Sequence, residues 1–252
     1  MNFDYPNQTQ EDQLRSLWKE AFGDKDAFLD SFYTHGFTPD RCRCVTVDGQ
    51  IGAALYWFDC SVDGHPVAYL YGVATAKAHR GKGLCRALME NTHAHLKYLG
   101  YAGVILVPAG EKLFGFYKKL GYEVAITCSR LTCQAGDSPL PIQKISPAEY
   151  ARLLPAFLPE GGVVPGEEML RFLDSYCQFY TGADFLMICE GLPDGLWAQE
   201  FLGNAQAAPG ILKALGFAEG RFRTPGKDRD FAMWLPLHED CPKPGWFGHA
   251  FD

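Results

Sequence analysis

Arg80 to Cys85 reads RGKGLC, and this short run gathers the chain's clearest chemistry. Arg80, Lys82 and Arg86 bring positive charge to one turn. Gly81 and Gly83 tolerate positive φ and let the backbone come close to a bound group. The run follows a strand-like stretch, Val67 to Thr75. It opens a helical pattern through Leu84, Ala87, Leu88, His95, Leu96 and Leu99 that ends at Gly100. The first N–H groups of a helix have no partner within it, and the helix dipole favours an anion there. A strand that turns through glycines into a helix therefore suits a pyrophosphate. The stretch is too short for a Walker loop and lacks its Ser or Thr. It also lacks the third glycine of the dinucleotide fingerprint.

A second constellation lies downstream, Leu113 to Tyr122, reading LFGFYKKLGY. With RGKGLC it resembles GNAT-type N-acetyltransferases. Their coenzyme A loop follows [RQ]-x-x-G-x-[GA], and their FYxKLGF segment packs beside the cofactor's thiol. Arg80 and Gly83 fit the loop pattern, and Cys85 stands as a small residue in its last place. Gly110, seven residues before Tyr117, stands where the family often has Asn, and Leu113 replaces a usual Ala.

The resemblance implies an α+β fold of the GNAT type, with a mixed, mostly antiparallel central sheet flanked by helices. It implies acetyl-CoA as co-substrate and direct attack by an amine. Backbone groups of Val73, Ala74 and Thr75 would meet the pantetheine and the acetyl carbonyl. Backbone N–H groups of Arg80, Gly81, Lys82, Gly83, Leu84 and Cys85 would hold the pyrophosphate. Tyr117 would give the leaving thiolate its proton. A general base is harder to find, because neither His65–Thr75 nor Gly103–Val107 contains a carboxylate. Some tandem-domain relatives use a terminal carboxylate, which points to Asp252, at the end of the aromatic run PGWFGHAFD.

Composition narrows the partners. A net charge of −7 leaves no basic face large enough for nucleic acid. No apolar run reaches membrane-spanning length, and Met1-Asn2-Phe3-Asp4 does not open like a signal peptide. The nine cysteines are odd in number and scattered. Cys42-x-Cys44 has no further ligands at zinc spacing, so no metal is expected and the thiols read as reduced and cytoplasmic. The resemblance implies a small-molecule or peptide amine as partner, and an oligomer is compatible with the sequence.

Helical spacing predicts a helix over Thr9 to Phe22, with Thr9-x-x-Asp12 as a capping box, and a second helix starting at Asp24 or Lys25. Phe28, Phe32, Tyr33 and Phe37 read as core or as a wall of the acceptor site. Asp48-Gly49 and Asp63-Gly64 mark hairpin turns between three strands, Cys42–Asp48, Gln50–Val62 and His65–Ala76. A buried strand at Gly103–Val107, a helix at 111–120 and a strand at 122–133 complete a first domain, 1–134. Residues 135–141 form a linker. Residues 142–252 form a smaller α/β second domain, with Ser146-Pro147-Ala148-Glu149 capping its first helix and a helix over Pro165–Tyr180. Lys213-Ala214-Leu215-Gly216-Phe217 echoes Lys118–Tyr122, which suggests a partial, degenerate GNAT repeat without a cofactor loop. Two other readings remain: an acyl-CoA sensor without turnover, and an aminoacyl-tRNA-dependent transferase, disfavoured by RGKG and the acidic charge.

Overall fold

The computed structural model describes residues 2–251. The first half runs β1 (Asn2–Asp4), α1 (Glu11–Phe22), α2 (Asp26–His35), β2 (Cys42–Val47), β3 (Gln50–Val62), β4 (His65–Thr75), α3 (Leu84–Tyr98), β5 (Gly103–Leu106), α4 (Glu111–Lys118) and β6 (Glu123–Gln134). The second continues with β7 (Gln143–Ile145), α5 (Pro147–Leu153), β8 (Val164–Pro165), α6 (Glu167–Asp174), β9 (Gln178–Thr181) and β10 (Phe185–Leu192). It closes with β11 (Gly195–Gly203), α7 (Ala208–Leu215), β12 (Glu219–Pro225) and β13 (Arg229–Pro236). One sheet holds all the strands in the order β1-β2-β3-β4-β5-β13-β6-β12-β11-β10-β9-β7, with β8 beside β3. Only β4–β5 and β11–β12 pair in parallel; the other pairs are antiparallel. The fold is α+β, a mixed and mostly antiparallel sheet flanked by helices.

Both faces of the sheet are covered, which explains the long apolar runs. In β3, Ala54, Tyr56, Phe58 and Cys60 face a core shared with α1, α2 and α6. Ala53, Leu55 and Trp57 face the opposite core under α3. The first of these cores also takes in Phe179, Leu186, Leu202, Trp246 and Phe247, so it runs through both halves of the chain. A third core lies beneath α7.

The hairpin turns form as the sequence predicts. Asp48 and Gly49 have φ of 51° and 80°, and Asp63 and Gly64 have 48° and 78°, the paired left-handed residues of a type I′ turn. Ser146 and Glu149 complete the capping box of α5. Elsewhere local patterns mislead. The cap residue of α1 is Gln10, and Thr9 instead donates its N–H and hydroxyl to Asn7 Oδ1 in a local turn. The helix expected through Tyr180 ends at Asp174; Gln178–Thr181 pairs with both β10 and β7, and this pairing overrides the helical stripe.

The sheet also crosses the expected linker. β6 pairs with β13 over Glu123–Cys128 and with β12 over Cys128–Gln134, so it belongs to both halves. β13 lies between β5 and β6, although nearly a hundred residues separate it from β6 in sequence. The Lys118 and Lys213 echoes fall on helices with different roles. α4 leads from β5 to β6, whereas α7 crosses between the parallel strands β11 and β12, as α3 does between β4 and β5. Phe32 is fully buried, and Phe28, Tyr33 and Phe37 pack against the same core; none of the four lines the cleft described next, although Phe28 and Phe32 back its wall at Trp18. Among the described residues, no helix is long and apolar enough to cross a membrane.

Candidate active site

β4 and β5 pair from Val67–Gly103 to Leu70–Leu106 and then part. Just beyond that point β4 bulges. Ala54 pairs with Ala74 and Tyr56 with Tyr71, so Gly72 and Val73 together oppose Leu55. Gly72 has φ of 59°, and a Cβ there would sit 2.7 Å from Trp18 Cζ3. Glycine thus permits both the bulge and the indole lying against it. Ala76 N–H donates to Gly52 O at 2.9 Å. Alternation along the ladder then turns Ala74 toward β3 and the backbone of Val73 and Thr75 away from it. β5 supplies neither residue with a partner.

The loop that follows stays close to the strand end. Arg80 Nε donates to Thr75 O at 3.0 Å. Gly81 and Gly83 have φ of 75° and 80°, and nothing lies within 4 Å of where their Cβ atoms would be. Gly83 is the cap residue of α3, and no side chain accepts from the helix's first turn. Lys82 is exposed, while Leu84 turns its side chain into the core beneath α3. Cys85 is half-buried; burial pushes its thiol pKa up, and the neighbouring Thr75 hydroxyl partly offsets this. Thr75 Oγ1 is itself buried, with no oxygen or nitrogen partner among the described residues.

A cleft of about 290 Å³ occupies the divergence. Tyr71, Gly72 and Val73 form one side; Leu106, Val107 and Ala109 form another. Tyr117, from α4, reaches the cleft with 7% of its surface exposed. Burial drives its phenol pKa well above the usual range, with the Cys85 thiol adding to the shift, so Tyr117 carries its proton at neutral pH. Of the residues singled out in the sequence, Val73 and Tyr117 line this cleft, whereas Thr75 and the Arg80–Cys85 loop lie beyond its lining, at the end of β4 and the start of α3. Ala74 does not line it either, because it pairs with β3 and its side chain is buried in the core.

Two further groups line the cleft. Asp24 is its one carboxylate among the described residues, and Trp18 Nε1 donates to Asp24 Oδ2 at 2.8 Å. Sequence reasoning passed over Asp24 as a helix start. The available signal was Trp18, whose buried indole N–H needs an acceptor nearby. The other group is Phe251. Its ring centroid lies 5.0 Å from that of Tyr71, and its N–H donates to the Tyr69 hydroxyl at 3.3 Å. Asp252 lies outside the described residues.

Residues 2–125 match the family model described as an acetyltransferase (GNAT) domain. The first half of the chain is therefore a GNAT acetyltransferase domain. Solved structures share the fold over nearly its full length. A GCN5-related N-acetyltransferase from Kribbella flavida superposes with a TM-score of 0.73 at 19% identity, covering 93% of this chain and 70% of that one. One from Anabaena variabilis ATCC 29413 gives 0.71 at 16% identity, covering 94% and 73%. Eis1 from Mycobacterium abscessus gives 0.69 at 13% identity, covering 94% and 74%. No curated protein sequence matches the chain.

Proposed function

We propose that this chain is an N-acetyltransferase that moves an acetyl group from acetyl-CoA to a primary amine by direct attack. The observation that carries the reading is the parting of β4 from β5 beyond Leu70 and Leu106, beside the glycine-lined start of α3. The residues fit such a donor. Val73 and Thr75 have no partner from β5, the Thr75 hydroxyl has no oxygen or nitrogen partner among the described residues, and the space over Gly81 and Gly83 is open. Acetyl-CoA would supply a thioester there. Val73 and Thr75 backbone groups would align it, and the N–H groups from Gly81 to Cys85 would take its pyrophosphate.

Asp24 would hold the acceptor's ammonium group, while Trp18, Tyr71 and Phe251 flank an apolar body. Asp252, which follows Phe251 in the chain, is the proposed base that takes the amine's proton. As the C–N bond forms and the C–S bond breaks, Tyr117 Oη gives its proton to the departing sulfur. Cys85 stays a thiol at neutral pH because burial raises its pKa, which supports transfer without an acyl-enzyme. The cysteines, all unpaired, support a reducing, cytoplasmic setting.

Calorimetric titration with acetyl-CoA tests the reading on wild type and on Gly83→Trp, paired with an acetylation assay using tryptamine. Micromolar-range binding lost in the variant, with acetyl-tryptamine formed by wild type, is the expected result. Binding without transfer to tryptamine or other amines would favour an acyl-CoA sensor. No binding would reject both.

A further inference from the structure

The second half repeats the architecture of the cleft and fills it from within. β11 and β12 are parallel strands joined by α7, as β4 and β5 are joined by α3. Their pairing ends at Ala198–Phe222, as that of β4 and β5 ends at Leu70–Leu106. A bulge follows in each case. Ile188 pairs with Glu200 and Cys189 with Ala198, which leaves Gln199 as the extra residue of β11. In the first half this divergence opens the cleft. In the second, Arg223, the next residue of β12, lies fully buried in it.

Arg223 Nε donates to the bulge carbonyl, Gln199 O, at 2.6 Å. Its Nη2 donates to Gly248 O at 3.1 Å and Ala250 O at 3.2 Å, and its guanidinium lies 4.5 Å from the centre of the Phe231 ring. The neighbouring residue Glu200, also fully buried, grips the same segment. Its Oε1 accepts from Trp246 Nε1 at 2.8 Å, and its Oε2 lies 3.0 Å from His249 Nε2 and accepts from the Tyr150 hydroxyl. A Cβ on Gly248 would overlap Glu200 Oε1. The chain then continues to Phe251, which lines the cleft of the first half.

We infer that the second half is a clasp, not a second catalytic centre: Arg223 and Glu200 close its strand divergence around residues 245–251 and thereby place Phe251 in the wall of the first cleft. Arg223 and Glu200 are positioning residues. That last step rests on the acetyltransferase reading; the clasp itself does not.

Full-length Arg223→Met and Gly248→Ala separate the two. Gly248→Ala acts from the segment itself, so it tests the clasp even where the Arg223 variant folds poorly. The first readout is hydrogen exchange across 245–251, the second is acetyl-CoA affinity by calorimetry, and the third is kcat and KM with tryptamine. The clasp predicts lost exchange protection in that segment in both variants, with acetyl-CoA affinity unchanged. It also predicts a fall in kcat on the order of a hundredfold from a displaced wall. Arg223→Lys, which keeps the charge and donors, should restore part of the protection and part of kcat. Wild-type protection in both variants would overturn the clasp, and lost protection with unchanged kcat and KM would overturn the positioning role. If wild type neither binds acetyl-CoA nor acetylates tryptamine, the acetyltransferase reading falls and exchange alone decides the clasp.

Discussion

Trp18 donates its indole N–H to Asp24 at 2.8 Å, so the ring that closes over Gly72 also orients the carboxylate of the cleft. One side chain thereby ties the strand bulge to the group proposed to hold the acceptor. Asp24→Asn keeps an acceptor oxygen for Trp18 but removes the charge. A hydrogen bond to a charged group contributes about 1.5–3 kcal/mol. The expected result is a rise in KM for tryptamine of about tenfold to a hundredfold, with acetyl-CoA affinity unchanged. Steady-state kinetics would show it, and an unaltered KM would remove Asp24 from the acceptor site.

Tyr117 is held protonated by burial, as a proton donor to a leaving thiolate must be. Tyr117→Phe keeps the ring and removes the hydroxyl. Its kcat should fall by about a hundredfold or more, the range of a lost general acid. Calorimetry should find acetyl-CoA bound as in wild type. Retained turnover would mean that water or another group supplies the proton.

Asp252 is tested by Asp252→Asn, which keeps Phe251 in the cleft wall. If its side chain is the base, kcat should fall by about a hundredfold or more with acetyl-CoA affinity unchanged. A normal rate in steady-state kinetics would dispose of the role.

His93 lies buried on α3 with its Nε2 2.7 Å from the Tyr122 hydroxyl. Burial lowers its pKa from the ordinary 6.5 to about 4. The unfolded chain therefore binds more protons between these values, and stability falls as pH drops from 6.5 toward 4. The full loss below that window is on the order of 3 kcal/mol. Denaturant titrations at several pH values should show this slope in wild type and a shallower one in His93→Gln. Equal slopes would mean that His93 does not govern acid stability.

The features legible in the sequence are those that short-range chemistry decides. Asp48-Gly49 and Asp63-Gly64 can adopt the left-handed pair a tight hairpin needs, so β3 follows residue for residue. Ser146 and Glu149 carry their capping box within one turn. Gly81 and Gly83 take the left-handed backbone that glycine adopts whatever lies around it. The features missed depend on distant partners. Gln178–Thr181 becomes a strand because β10 and β7 are beside it. Gly72 marks a bulge only once Trp18 and Tyr56 crowd it. Asp24 is unremarkable in the sequence until the cleft gives it neighbours, and the repeat lies in strand order and bulges, not in the Leu-Gly-aromatic echo.

The position of β13 bears on how the molecule is made. Its strand completes the sheet between β5 and β6, yet it is encoded after residue 228. On the ribosome, the segment that contains the glycine turn at Arg80–Cys85 emerges early and must wait for most of the remaining chain. Until then the edges of β5 and β6 that face each other across the gap have no strand between them, and unpaired edges template wrong pairing. Nascent chains of this protein should therefore depend on chaperones late in translation, and a 1–134 fragment expressed alone should aggregate.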